Sequence, residues 1–299
     1  MTIKPPYLKK GDKIAVVCPA NKLKKSIDSA ITLLENWGLQ VITGKSITGD
    51  YFNFAGDDEL RAADIQTFLD DSSINAIIAG RGGYGGIRII DKLDFNAFNK
   101  NPKWMIGFSD TTTFLSHIIA ALHTQSIHGQ MLASFETGTA SSIETLRKAL
   151  FGEELKYTYI SSFTNRPGHT EGILIGGNLS ILVAMEGSVS EIDYTDKILF
   201  LEDVGEQEYA IDRMLRMLKR KGKLARLRGL IIGAFNNIEP EEIAFGQTPE
   251  ELILEIVKEY DYPVCFNFPV GHIADNQALI IGSTATLDVK SNEVTLSYQ

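Results

Sequence analysis

Short apolar strands alternate with amphipathic helices through the first half of this 299-residue chain, and that rhythm leaves few folds open. Asp12–Cys18 is an apolar run of strand length, closed by Pro19-Ala-Asn. A helix is predicted over Ile27–Trp37, where Ile27, Ala30, Ile31, Leu33, Leu34 and Trp37 recur at helical spacing. Ser26 stands where it could cap that helix, and Gly38 where it could end it. Leu39–Thr43 reads as a second strand and Asp57–Leu69 as a helix with acidic residues in its first turn, where the dipole favours them. Asn75–Ala79 and Lys103–Phe108 read as further strands, with a helix starting at Ile87–Leu93 and another over Asp110–Ala121. The expected fold class is α/β, with a parallel sheet covered on both faces, and in such sheets ligands bind beyond the carboxyl ends of the strands.

Residues 136–168 are rich in Thr, Ser and Gly, with loop signals at Gly138–Ser142 and Ser161–Gly168. They read as a linker between an N-terminal α/β domain (residues 1–135) and a C-terminal domain (residues 169–299). The second half offers strands at Gly172–Ile175, Lys197–Leu201, Leu227–Phe235 and Val264–Phe268, and β-rich sequence from Ala278. Its helices are expected at Leu179–Met185, Ala210–Lys219 and Pro249–Tyr260.

Composition removes several classes of function. A 44% hydrophobic content excludes disorder. Twenty-nine Lys and Arg against 38 Asp and Glu give a net charge of −9, which argues against a general binder of nucleic acid or anionic membranes. Cys18 and Cys265 form neither a disulfide framework nor a metal pattern, so a reducing cytoplasm is expected. No apolar run approaches the roughly 20 residues that cross a bilayer. Ile14–Cys18 is also shorter than a secretory apolar region of about 7–15 residues, and the chain reads as unexported.

Four turns, each just after an apolar strand, carry the candidate chemistry. Gly80-Arg-Gly-Gly-Tyr-Gly-Gly allows close backbone approach and leaves amides free for a ligand. It also satisfies G-x-G-x-x-G through Gly80, Gly82 and Gly85, with Asp110 as a possible ribose acid, so a dinucleotide site is a rival. The rival is weakened because that fingerprint belongs in the first strand–helix turn, here Pro19-Ala-Asn-Lys. Ile106-Gly-Phe-Ser-Asp-Thr-Thr puts Ser109 between a buried strand and a helix start, the geometry of a nucleophile elbow; the plain alternative is that Ser109 or Asp110 caps the helix. Glu202, Asp203 and Glu206 cluster where the Lys197–Leu201 strand ends, and a carboxylate there could orient an imidazole, although capping is equally ordinary. An ion pair between Asp212 and Arg213 is expected nearby. His272 lies in the turn Phe268-Pro-Val-Gly-His. Of the other histidines, His117 and His123 fall in or just after a helix, His128 in a turn and His169 in the linker; no close-spaced metal pattern results, so no metal is expected. The order Ser…Glu…His is one in which hydrolase triads occur.

At these residues the chain resembles the LD-carboxypeptidase (muramoyltetrapeptide carboxypeptidase) family of serine peptidases, which includes the microcin C immunity hydrolases. The resemblance rests on Arg81-Gly-Gly-Tyr-Gly, Gly107-Phe-Ser-Asp, Gly176-Gly-Asn-Leu, Leu201-Glu-Asp-Val-Gly-Glu with Ile211-Asp-Arg-Met-Leu, and Pro269-Val-Gly-His. It spans about residues 10–285. It implies a flavodoxin- or Rossmann-like N-terminal domain, a smaller β-rich α/β C-terminal domain, and a Ser-Glu-His triad without metal or cofactor, in a homodimer. Carried onto this chain, it makes Ser109 the nucleophile and His272 the base, with Glu202 or Glu206 as the acid. Glu202 is chosen because a strand end holds a side chain more rigidly than a glycine-flanked loop. The expected oxyanion donors are the N–H groups of Asp110 and Gly85, with Gly83 an open alternative to Gly85; Arg81, Gly83 and Tyr84 are expected to contact substrate. The implied activity is hydrolysis of the amide before the C-terminal D-alanine of murein tetrapeptides in cell-wall recycling. Hydrolysis of a microcin C-type aminoacyl-nucleotide, or a non-catalytic dinucleotide-binding role, are the alternatives.

Overall fold

The computed structural model describes residues 2–238 and 243–298. Its first half contains β1 (Lys13–Val17), α1 (Asp28–Asn36), β2 (Gln40–Thr43), α2 (Asp58–Asp70), β3 (Ile74–Ala79), α3 (Asn96–Lys100), β4 (Trp104–Gly107), α4 (Thr112–Leu122) and β5 (Ser126–His128). Then come α5 (Ala140–Phe151), β6 (Lys156–Ile160), β7 (Gly168–Asn178), α6 (Leu179–Met185), β8 (Lys197–Val204), α7 (Glu208–Arg220) and β9 (Gly229–Asn236). The chain finishes with α8 (Pro249–Ile256), β10 (Val264–Cys265), β11 (Leu279–Ile281), β12 (Thr284–Val289) and β13 (Glu293–Tyr298).

One six-stranded sheet runs β11-β5-β4-β3-β1-β2. Strands β1 to β5 are parallel in the order 2-1-3-4-5, which is the flavodoxin arrangement. Alternate residues of its strands enter opposite cores. Ile14, Val16, Ile78 and Ile106 pack on one face, and Ala15, Val17, Ile77 and Met105 face α2 and α4 on the other. Both faces are thus buried, which is why these strands read as unbroken apolar runs. From the far end of the chain, β11 adds antiparallel to β5, with Leu279 opposite His128.

The second sheet, seven strands in the order β10-β9-β8-β7-β12-β13-β6, joins a parallel half to an antiparallel half. Its interior is continuous with that of the first sheet, through residues such as Leu174, Leu199 and Ile232. At the end of β7, Gly176 has φ +139°, and a Cβ there would lie 1.9 Å from the Phe200 carbonyl oxygen. That neighbour is strand backbone and cannot yield. Gly176→Ala is expected to cost about 4 kcal/mol or more, seen as lost soluble yield and a depressed unfolding midpoint; a stable, soluble variant would refute this.

Several sequence expectations are corrected. Ile87–Leu93 is not an α-helix but two 3-10 turns, Gly86–Arg88 and Ile90–Lys92, entered from Gly85 at φ +145°. Segment 136–168 holds a helix and a strand: Thr139 caps α5 by accepting the Ser142 N–H, and β6 pairs with β13. The Ser- and Thr-rich stretch at 138–142 is therefore a helix start. Strand β10 stops at Cys265, and Asn267 then turns at φ +56°. Helix α1 begins at Asp28 with Ile27 in the capping position, although the Ser26 hydroxyl does accept the Asp28 N–H at 3.0 Å.

Candidate active site

Strand β4 ends at Gly107, whose φ of +157° brings Thr111 within 2.7 Å of where a Cβ would stand. Two residues on, Ser109 has φ +61°, a left-handed conformation that costs a non-glycine residue roughly 1 kcal/mol or more. A 3-10 turn, Ser109–Thr111, then leads into α4. Neither Ser109 nor Asp110 caps the helix with its side chain. The strained strand–turn–helix instead presents the half-buried Ser109 Oγ at the carboxyl end of the sheet.

That hydroxyl meets the second half of the chain. His272 Nε2 lies 2.9 Å from Ser109 Oγ, and His272 Nδ1 lies 2.7 Å from Glu202 Oε2. Glu202 is fully buried on β8, where the pairing with β9 slips by one residue between Leu201 and Asp203, a bulge that re-aims the side chains beside it. Glu206 makes no hydrogen bond to His272 and sits in the turn after Gly205. The His272 loop is tied at three points. Asn236 Nδ2 donates to the His272 carbonyl at 2.7 Å, the Gly271 N–H donates to Asn276 Oδ1 at 2.8 Å, and Phe108 packs edge-on against the imidazole with centroids 5.0 Å apart. Gly271, at φ +114°, leaves room for Glu202, whose Oε2 would be 2.9 Å from a Cβ there.

Asn236 and Asn276 were not singled out from the sequence. His128 is a fully buried β5 residue rather than part of a turn, and its ring stands edge-on to Phe200. Burial pushes it down to about 4, so it is neutral near pH 7. Asn276 Oδ1 already takes the Gly271 N–H, so it also serves as acceptor for His128 Nε2 at 3.2 Å. His169 belongs to β7. Asp212 pairs with Arg216 at 2.8 Å instead of Arg213, whose guanidinium lies over the Tyr209 ring. Asn178, from the Gly176-Gly-Asn motif, caps α6, and its N–H donates to Thr112 Oγ1 at 3.3 Å, joining β7 to the first turn of α4.

The glycine turn after β3 runs alongside Ser109. A methyl at Gly82 would lie 3.3 Å from Ser109 Cβ and 3.5 Å from its Oγ. The Gly85 N–H, an expected oxyanion donor, donates to Asp110 Oδ1 at 3.2 Å and is thereby occupied. Among the described residues, the N–H groups of Gly83 and Asp110 have no acceptor. Arg81 is half-buried and donates from Nη1 to the Lys22 carbonyl at 2.6 Å, beside a cavity of about 230 Å³ shared with Lys24 and Lys25. Tyr84 is exposed, its ring 6.3 Å from that of Phe54. The dinucleotide alternative fits poorly here. Asp110 is buried and engaged, and the turn leads into a 3-10 segment, not a helix whose N-terminus could hold a pyrophosphate. Among the described residues no group of three or more His, Cys, Asp or Glu converges as a metal site, and no helix is long and apolar enough to cross a membrane.

Residues 14–129 match the LD-carboxypeptidase N-terminal domain and residues 171–287 the LD-carboxypeptidase C-terminal domain. The chain is 34% identical to the probable murein peptide carboxypeptidase of Bacillus subtilis, over 96% of this chain and 92% of that one. It is 29% identical to the murein tetrapeptide carboxypeptidase of Pseudomonas aeruginosa, over 92% and 93%. The crystal structure of muramoyltetrapeptide carboxypeptidase from Oxalobacter formigenes superposes with a TM-score of 0.86 at 27% identity, covering 96% of this chain and 98% of that one.

Proposed function

The chain belongs to the LD-carboxypeptidase family of serine-type peptidases, and from that premise we propose that it hydrolyses the amide before the C-terminal D-alanine of murein tetrapeptides. The observation that carries the reading is the unbroken Ser109–His272–Glu202 hydrogen-bond chain, which brings together residues from opposite halves of the sequence.

In this reading His272 Nε2 takes the Ser109 proton as Oγ attacks the amide carbonyl, and Glu202 holds Nδ1–H and stabilises the imidazolium. The oxyanion is received by the N–H groups of Asp110 and Gly83, each such donor worth roughly 3–4 kcal/mol at the transition state. Gly83 replaces Gly85 because the Gly85 N–H is already committed. His272 then protonates the leaving nitrogen, D-alanine departs, and water, deprotonated by the same imidazole, releases the tripeptide from Ser109. Arg81 and Tyr84 remain candidates for substrate contact. The setting we assign is the cytoplasm, in keeping with two buried free thiols, and the assembly a homodimer.

The test offers the purified protein murein tetrapeptide and, in parallel, an aminoacyl-sulfamoyl adenosine. Release of D-alanine with tripeptide supports the reading. Cleavage of the adenosine compound alone would move the substrate to aminoacyl-nucleotides.

A further inference from the structure

Asp110 follows the serine, yet its carboxylate faces away from the hydroxyl chain and into the glycine turn. Oδ1 accepts the Gly85 N–H at 3.2 Å and Oδ2 the Gly86 N–H at 2.7 Å, so both oxygens are spent on two successive amides. The side chain is 1% exposed. The Gly85 peptide is gripped from its other end as well. Arg61 of α2, itself fully buried, donates from Nη1 to the Gly85 carbonyl at 3.1 Å and also to that of Pro19. No side chain fits at Gly86, where a Cβ would lie 2.8 Å from Asp110 Oδ2 and 3.0 Å from Phe114.

A turn with glycines at φ +115° and +145° has little intrinsic preference for one shape. The peptide that carries the Gly83 N–H is held at its carbonyl end, where Gly82 accepts the Asn21 N–H at 3.2 Å. The far side of the turn is fixed by the Asp110 carboxylate through the Gly85 and Gly86 amides. We infer that the Asp110 carboxylate is a positioning group for the oxyanion hole, locking the Gly82–Gly86 backbone to the residue that supplies the other donor. Asp110 then supplies one donor of the hole directly, through its own N–H, and with Asn21 holds the glycine turn that supplies the other. This rests on the hydrolase reading above.

The ionised form is the one that works, because a protonated carboxyl must give up one of the two acceptor positions. Arg61 is the charged side chain facing it, the glycine turn presents amides, and α4 presents Phe114. Burial lifts the carboxyl to about 6, against the pull of the two amides and Arg61. Loss of its negative charge as pH falls through that value should loosen the turn.

Asp110→Asn, which retains one acceptor, separates this role from general stability. Expected are a kcat for D-alanine release lowered about 100-fold with KM within about threefold, and faster hydrogen exchange at the Gly85 and Gly86 amides. In the wild type the protection of those amides, taken relative to the intrinsic exchange rate at each pH, should also fall as pH drops below 6, whereas in the variant it should lose this dependence. An unchanged kcat, an equal loss in KM, or unaltered exchange would overturn the inference. Should the wild type release no D-alanine, the substrate reading fails by itself. The rate at which a fluorophosphonate labels Ser109 then replaces kcat, since it needs the same donors and no murein peptide.

Discussion

Ser109→Ala is expected to lower D-alanine release by about 10⁶-fold, on the scale of other serine hydrolases, while leaving the fold as it is. The hydroxyl is a half-buried group with one side-chain partner, His272, so removing it strands no buried donor. Alanine at φ +61° bears the same left-handed strain that serine already bears. Loss of rate should therefore come without loss of structure, with the unfolding midpoint moved by no more than a few degrees. Fluorophosphonate labelling should disappear along with turnover. Near-normal rates in the alanine variant would mean that another group attacks the carbonyl.

Replacing Glu202 by glutamine should be nearly as damaging, for a different reason. Glu202 Oε2 accepts the His272 Nδ1–H from a position closed to water, which leaves Nε2 unprotonated toward Ser109. A glutamine can turn its NH₂ toward Nδ1, forcing the ring proton onto Nε2, where it blocks the base. It also removes the negative charge beneath the imidazolium. The expected fall in kcat is about 10⁴-fold, with KM little altered. Glu206→Gln, four residues along and outside the hydrogen-bond chain, should change kcat by less than about threefold. The reverse pattern, with Glu206 essential and Glu202 dispensable, would transfer the acid role.

The strand-end turns made most of this site readable from sequence. Ser109, Glu202 and His272 were each marked by an apolar strand running into a glycine, and the structure joins them. What escaped was the second layer. Asn236 and Asn276 act through backbone groups of the His272 loop, and nothing in the composition of that loop announces such pairings. That the Gly85 N–H is already engaged escaped the sequence for a related reason. An amide in a glycine turn looks free until the side chain that occupies it, here Asp110 from 25 residues away, is placed in space. Helix α5 was hidden by its own cap, since Thr139 and the serines after it resemble a loop until the α-turn closes behind them. The 2-1-3-4-5 strand order depends on pairing between distant segments, which periodicity alone does not encode.

The placement of β11 governs when the enzyme can come alive during synthesis. The edge of β5 is closed by Leu279–Ile281, and His272 lies only a few residues before that strand. A nascent chain that has emerged through β5 carries Ser109 on an unfinished sheet, with neither His272 nor the β11 edge partner. Both arrive together, roughly 150 residues of translation later. A fragment that ends before His272 therefore lacks the hydrogen-bond partner of Ser109 and leaves the β5 edge open, the kind of unpaired strand that chaperones and proteases engage.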